Sequence, residues 1–242
     1  DMKILFITSS RVGDAVLTTG LLKYLVDRYP DARFTIACGP VAKGLFEQVP
    51  RLDRVIPMRK GRMLRHWRSL LGTTITHRWF MVVDLRGSAL AWCLPTLRRY
   101  IYKRVSKGSH RLEDMRHTLK LEKPADPYIW FDSKNEKFAD KTLGLNDPRP
   151  VLVIGPTANW SAKIWPIERF IELISRLTSE NIHLKNARIA VVGGPGEESL
   201  AAPVLDAINP DKKIDLVGPV SFLDVAAVFK RSLIYIGNDS GL

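Results

Sequence analysis

The sequence has few cysteines and no long apolar run. Its 242 residues include two cysteines, Cys38 and Cys93, and no C-x-x-C pair. This excludes a disulfide framework and a zinc ribbon, and it favours a reducing compartment. No stretch approaches the roughly 20 apolar residues of a membrane span. Because the N-terminus leads directly into an apolar strand, we expect no signal peptide and a cytoplasmic location.

The common spacings for metal and nucleotide binding are also missing. There is no D-x-D, the usual carboxylate pair for a metal–nucleotide complex, and the five histidines show no H-x3-H or H-E-x-x-H spacing. Neither a G-x-G-x-x-G fingerprint nor a Walker A spacing occurs, which disfavours a dinucleotide dehydrogenase and a P-loop enzyme. We therefore predict no metal and no resident cofactor.

The sequence does contain an ample apolar fraction and a strongly uneven charge. Hydrophobic residues make up 45% of the chain, enough for a sizeable core. The net charge is +12, and residues 51–123 alone carry 18 basic and 5 acidic side chains, a balance of +13. Residues 151–242 carry 9 basic and 10 acidic side chains. Such a concentrated block favours an anionic partner over a merely solvated surface: nucleic acid, an anionic membrane, or a phosphorylated substrate.

Strands and helices alternate along the chain, which predicts an α/β fold with parallel sheets and helices on both faces. We interpret the proline-rich segment 124–150, which contains one predicted helix over Ser133–Leu143, as the interdomain crossing, the segment that connects the two domains. We therefore predict domains at 1–150 and 151–242. The chain stops in a loop that should open another helix, so we expect the C-terminal part of the second domain to be absent.

In the first domain, the loop after the first strand holds the chief catalytic candidate. Ligands of open parallel sheets lie beyond the carboxyl ends of the strands. Asp14 follows Gly13 at the start of a helix. It is either a helix-start carboxylate favoured by the dipole or a catalytic base.

In the second domain, three loops carry groups suited to a pyrophosphate. After one strand come Gly155, Thr157 and Lys163, which offer close approach, a hydroxyl and a cation. The next strand leads to a glycine-rich turn with Gly193 and Gly194, although two following glutamates equally suit a tight turn without phosphate. The last loop ends in Asp239, Ser240 and Gly241.

The basic block contains one amphipathic helix. Over Arg59–Leu71, apolar side chains fall on one helical face and Arg62, Arg65 and Arg68 on another. This pattern suits a membrane surface or a polyanionic ligand. The plain alternative is a surface helix whose apolar face lies in the core.

Taken together, these segments resemble the bacterial heptosyltransferases, glycosyltransferase family nine. The matching motifs occur in family order: Arg11-Val-Gly-Asp14-Ala-Val-Leu-Thr-Thr19, Val83-Asp84-Leu-Arg-Gly-Ser88, Lys163-Ile-Trp-Pro166, Val192-Gly-Gly-Pro-Gly196 and Gly237-Asn-Asp-Ser-Gly241. The resemblance implies a GT-B fold of two Rossmann-like domains facing a cleft. It implies inverting, metal-independent transfer of heptose from ADP-heptose to the lipopolysaccharide inner core.

The resemblance also implies roles for individual residues. Asp14 matches the general base and Lys163 the phosphate-contacting lysine. The donor site takes in Gly155, Thr157, Gly193, Gly194, Asp239, Ser240 and Gly241. We assign Ser10, Arg11, Gly13, Arg62, Arg65 and Arg68 to the acceptor. The expected partners are the nucleotide-sugar donor, a phosphorylated lipid A-Kdo type acceptor and the anionic cytoplasmic face of the inner membrane.

Two other functions remain as alternatives. One is a GT-B transferase with another nucleotide-sugar or acceptor, which would keep the same motifs. The other is a nucleic-acid-binding protein using the basic block, although that block contains no recognised nucleic-acid motif. We expect no nucleic-acid partner.

Overall fold

The computed structural model describes residues 2–59, 65–105, 108, 110–158, 160–180 and 183–239. The chain divides into two compact units, 1–130 and 131–242. The sequence predicted the boundary at Pro150. Residues 131–150 group with the second unit because the helix at Ser133–Leu143 packs on the helix at Phe222–Lys230.

The first unit is a parallel sheet in the order β3-β2-β1-β4-β5. Its strands are β1 (Lys3–Ile7), β2 (Arg33–Cys38), β3 (Leu52–Pro57), β4 (Trp79–Asp84) and β5 (Thr96–Ile101). Its helices are α1 (Val12–Arg28), α2 (Arg65–Thr74), α3 (Leu90–Cys93) and α4 (Arg111–Arg116), with a 3-10 helix at Pro40–Phe46.

The second unit is a parallel sheet in the order β8-β7-β6-β9. Its strands are β6 (Val151–Gly155), β7 (Arg188–Gly193), β8 (Lys213–Val217) and β9 (Ile234–Gly237). The helices are α5 (Ser133–Leu143), α6 (Ile167–Glu180), α7 (Glu198–Asp206) and α8 (Phe222–Lys230), with a 3-10 helix at Ser161–Lys163.

Each face of the second sheet has its own apolar core. Alternate residues of β6, such as Val151 and Val153, pack with Ala139 of α5 and Val228 of α8. The other residues of β6 pack with Phe170 of α6 and its neighbours. Helices on both faces define a doubly wound sheet, which confirms the predicted α/β class.

One strand of the first sheet was not predicted. β5 includes Arg98 and Arg99, has exposed positions, and pairs within the described residues only with β4. A strand at the sheet edge need not be apolar on both faces, so it lacks the sequence pattern of a buried strand. No helix of the described residues combines the length and apolarity needed to cross a membrane.

Candidate active site

The loop after β1 is held in place by a close contact with the loop after β2. A Cβ added to Gly39 would lie 2.4 Å from the carbonyl oxygen of Ser10 and 2.5 Å from its Cα. The Gly39 N–H also donates to the carbonyl oxygen of Ser9 at 3.2 Å. A side chain at position 39 would therefore displace the backbone that leads into α1. Of the predicted acceptor residues here, Ser10 and Gly13 are partly buried and Arg11 is exposed.

Asp14 lies in the first turn of α1, at the carboxyl end of β1, as predicted. Its Oδ1 is 3.5 Å from Nη1 of Arg111, the first residue of α4. The Asp14 side chain is 31% exposed, so it remains accessible to a substrate hydroxyl. Arg11 occupies the N-cap position of α1 without a side-chain capping bond. The arrangement places one accessible carboxylate, steadied by a cation, beside the helix start.

Asp84 has a structural role that sequence reasoning did not assign. Its fully buried carboxylate accepts hydrogen bonds from the backbone N–H of Arg86 and of Ser88, each at 2.8 Å, and from the Ser88 hydroxyl at 2.5 Å. Gly87 completes the turn at φ +64°. These bonds fix the loop after β4, which adjoins the loop after β1 because the Leu85 N–H donates to the Ile7 carbonyl oxygen.

Asn238 ties together the loops at the carboxyl end of the second sheet. Its amide Nδ2 donates to the carbonyl oxygen of Pro156 at 2.8 Å, and its Oδ1 accepts from the Trp165 N–H at 2.9 Å. The Asn238 N–H also donates to the Gly155 carbonyl oxygen. Asn238 thus joins the loops after β6 and β9 through backbone groups. The motif contained it, but sequence reasoning gave it no role.

Within these joined loops, Lys163 contacts Asp239. The Lys163 Nζ donates to Asp239 Oδ2, and both side chains are substantially exposed. Two residues that were assigned to the donor site from separate motifs are therefore in contact. An exposed ion pair of this kind contributes about 0–1 kcal/mol to stability, so both partners are free to exchange it for a ligand.

The glycine-rich turn after β7 is occupied by a carboxylate of the chain itself. Glu197 Oε2 accepts from the Gly194 N–H at 2.8 Å and from the Thr157 hydroxyl at 2.5 Å. A Cβ on Gly193 would come within 3.2 Å of Thr157 Oγ1. The turn therefore packs tightly against the loop after β6, as expected of a tight turn with a charged helix start.

Several predicted site residues lie outside the described residues: Arg62, Ser240 and Gly241. Arg65 begins α2, and Arg68 in the same helix is exposed. The apolar side of α2 faces the core, since Leu70 is buried in the cluster with β1 and β4.

Among the described residues, no three His, Cys, Asp or Glu side chains are placed to hold a metal ion.

Comparison with known proteins identifies the relatives of this chain. The profile of "Glycosyltransferase family 9 (heptosyltransferase)" matches residues 94–242. The whole chain aligns at 22% identity with 79% of lipooligosaccharide heptosyltransferase 2 of Haemophilus influenzae. It also aligns at 24% identity with 78% of lipopolysaccharide heptosyltransferase 2 of Escherichia coli.

Solved structures show the same architecture. A family 9 glycosyltransferase from Veillonella parvula matches with a TM-score of 0.76 and 20% identity, over 99% of this chain and 76% of that chain. An E. coli heptosyltransferase with ADP-2-deoxy-2-fluoro heptose matches with a TM-score of 0.69 and 19% identity, over 99% of this chain and 84% of that one.

The two parallel Rossmann-like sheets have the GT-B fold of the matched heptosyltransferase structures. The chain belongs to glycosyltransferase family 9, the heptosyltransferase family. The fold class and the family resemblance predicted from the sequence are both confirmed.

Proposed function

We propose that this protein transfers a heptose from ADP-heptose to the inner core of lipopolysaccharide, with inversion at the anomeric carbon and without a metal ion. The observation that carries the proposal is the contact between Lys163 and Asp239, at loops joined by Asn238. It gathers a cation and a carboxylate at one sheet end, which suits a nucleotide-sugar, because the cation matches its diphosphate and the carboxylate its hydroxyl groups. The relatives are named as heptosyltransferases, and one neighbour was solved with an ADP-heptose analogue.

In the proposed reaction, Asp14 removes the proton from the acceptor hydroxyl. The resulting oxygen nucleophile attacks the anomeric carbon of the heptose as the bond from that carbon to the diphosphate oxygen breaks. General-base catalysis of this kind contributes about 10²–10⁴-fold. The proton remains on the Asp14 carboxylate until it passes to solvent.

The departing ADP gathers negative charge on its diphosphate. Lys163 is the cation that stabilises this charge, and in doing so it exchanges its contact with Asp239 for the phosphate oxygens. Asp239 is then free to accept hydrogen bonds from hydroxyl groups of the donor. The donor residues in this scheme are Gly155, Lys163, Asp239, Ser240 and Gly241, together with Thr157, Gly193 and Gly194, which bind the donor in place of the Glu197 carboxylate.

The acceptor is a phosphorylated lipid of the lipid A-Kdo type, bound by the basic half of the chain. Ser10, Arg11 and Gly13 contact the acceptor beside Asp14, while Arg62, Arg65 and Arg68 bind its phosphates. We place the enzyme at the cytoplasmic face of the inner membrane, where such an acceptor presents its sugars. The +13 balance of residues 51–123 supports this assignment.

Mass spectrometry of purified acceptor, after incubation with the protein and ADP-heptose, tests the proposal. We expect the acceptor mass to rise by one heptose, with no loss of yield in the presence of a metal chelator. NMR of the product reports the anomeric configuration. No mass increase with any inner-core acceptor would overturn the proposal.

A panel of nucleotides separates this function from transfer of another sugar. We expect ADP to raise the melting temperature more than UDP or GDP does. Stronger stabilisation by UDP or GDP would redirect the assignment to another nucleotide-sugar within the same fold.

A further inference from the structure

The edge of the first sheet carries large apolar side chains that lie outside the core. Trp92 of α3 is 65% exposed and Leu97 of β5 is 82% exposed. Val105, four residues beyond the strand, is also exposed. Single exposed apolar residues are common, but three within 14 residues of one sheet edge form a candidate contact surface.

A contact with Arg99 holds the exposed Trp92 side chain in place. The guanidinium of Arg99 lies 5.2 Å from the Trp92 ring centroid, in cation–π contact. The same guanidinium donates to the carbonyl oxygens of Ala91 at 2.7 Å and Leu94 at 3.0 Å. Arg99 therefore fixes the end of α3 while covering one face of the indole.

These side chains share one face of the sheet with the basic helix α2. Residues two apart in a strand point to the same face, so Leu97 lies on the side of Arg99 and Trp92. Helix α2 contacts α3, and both helices bury leucines in one cluster, Leu70 from α2 and Leu90 from α3. The exposed Arg68 of α2 therefore belongs to the same side of the sheet.

The segment that carries these side chains has charge of a single sign. Residues 85–112 include seven Lys and Arg and no Asp or Glu. Lys103 and Arg104, which follow β5, are exposed. We define the α3–β5 surface as Trp92, Leu97, Arg99, Lys103, Arg104 and Val105.

We propose that the α3–β5 surface docks on a bilayer that carries anionic phospholipid headgroups, with Trp92 and Leu97 entering the interface. The inference deepens the proposed function, because it names the part of the chain that meets the membrane. Tryptophan prefers the boundary between headgroups and acyl chains, and flanking cations attract anionic lipids.

Other occupants fit this surface less well. A second copy related by two-fold symmetry would set cations against cations, because such an interface pairs a surface with itself. Nucleic acid would satisfy the cations but leave Leu97 and Val105 without an apolar partner. A bilayer satisfies both kinds of side chain at once.

Co-sedimentation of the full chain with vesicles tests the proposal. One set of vesicles holds equal parts of phosphatidylglycerol and phosphatidylcholine, and the other holds phosphatidylcholine alone. We expect binding to the anionic vesicles only, weakened by salt. Trp92→Ser combined with Leu97→Ser should lower the bound-to-free ratio by about tenfold or more, since both interfacial groups are lost. The matched control, Val41→Ser with Leu145→Ser, removes apolar side chains of similar exposure elsewhere and should bind like the wild type.

Equal vesicle binding by the double variant and the wild type would overturn the proposal. So would a dimer in size-exclusion chromatography that the double variant dissociates, because the surface would then belong to a second copy. Leu97→Asp, a single change at an exposed position, provides the same comparison if the double variant melts early. Transfer to a delipidated acceptor should proceed at the wild-type rate in every variant. If no heptose is transferred but the double variant still binds anionic vesicles more weakly than the wild type, the proposed function is refuted and the proposed membrane surface is supported.

Discussion

Asn238 and Pro156 lie in different loops, 82 positions apart, and are joined by a 2.8 Å hydrogen bond from the Asn238 amide to the Pro156 carbonyl oxygen. The Asn238 side chain also accepts from the Trp165 N–H. Each such bond contributes about 0.5–1.5 kcal/mol. Asn238→Ala removes both, so we expect ADP to bind about five- to tenfold more weakly by calorimetry. Asn238→Asp keeps only the oxygen that accepts from the Trp165 N–H. Its affinity for ADP should lie between those of the wild type and the alanine variant. Unchanged ADP affinity in the alanine variant would show that the loops keep their positions without Asn238.

Asp14→Asn should reduce the turnover number by about 10²–10⁴-fold, because the amide cannot accept the hydroxyl proton. Binding of ADP should change little, since Asp14 is assigned to the acceptor side. Asp27→Asn is the matched control: it changes an exposed carboxylate of the same helix, paired with Lys23. Steady-state kinetics would compare the three proteins, and near-normal turnover in Asp14→Asn would remove Asp14 from the role of base.

Replacement of Arg62, Arg65 and Arg68 together by Ser should raise the KM for the delipidated acceptor several-fold and leave kcat nearly unchanged. The reason is that phosphate contacts contribute to binding the acceptor and not to the bond-making step. The effect should be largest at low salt and shrink as salt screens the wild-type arginines. An unaltered KM at low salt would mean that the acceptor binds elsewhere.

Gly39→Ala and Gly72→Ala should change stability in opposite directions. The new methyl group at position 39 meets the Ser10 backbone, and we expect a loss of about 1–3 kcal/mol in the free energy of unfolding. At position 72, in α2, a Cβ meets nothing within 4 Å. Alanine there should add about 0.5–1 kcal/mol through helix propensity. Urea denaturation measures the free energy of unfolding of both variants. A Gly39→Ala protein as stable as the wild type would show that the backbone at Ser10 shifts at little cost.

Asp147 should make the second unit sensitive to acid. Hydrogen bonds from Arg149, with the charge of Arg188 nearby, lower the pKa of the Asp147 carboxyl from 3.8 to about 2. Because the folded pKa is the lower one, this stabilisation is present above about pH 4 and is lost as the pH falls toward 2. Asp147→Asn should unfold at a lower urea concentration at neutral pH, and its midpoint should vary less between about pH 4 and 2. Parallel pH profiles for the two proteins would contradict the assignment.

The sequence predicted the alternation of strands and helices but missed β5. The interior strands β1 (Lys3–Ile7) and β6 (Val151–Gly155) are buried almost throughout, because interior strands of a doubly wound sheet are covered on both faces. β5 has two arginines, so its strand pairing depends on its neighbour β4 and not on its own composition.

The candidate site likewise contains some residues that the sequence indicates and others that it does not. Motif spacing made candidates of Asp14, Lys163 and Asp239, because their predicted chemistry is carried by their own side chains. Asn238 and Asp84 act on backbone groups that the fold brings near them. Their partners are set by loop geometry, and no residue pattern in the sequence reveals which N–H or carbonyl oxygen will be in reach.

The pairing of β6 with β9 has a consequence for synthesis of the chain. β6 begins the second sheet, yet its neighbour β9 is made only after β7 and β8, with Leu152 opposite Ile234. The five described strands of the first sheet have all been made once Ile101 has left the ribosome. In the nascent chain, one edge of the wholly apolar β6 therefore stays unpaired until residues 234–237 emerge, and during that interval the edge is open to aggregation and to capture by chaperones.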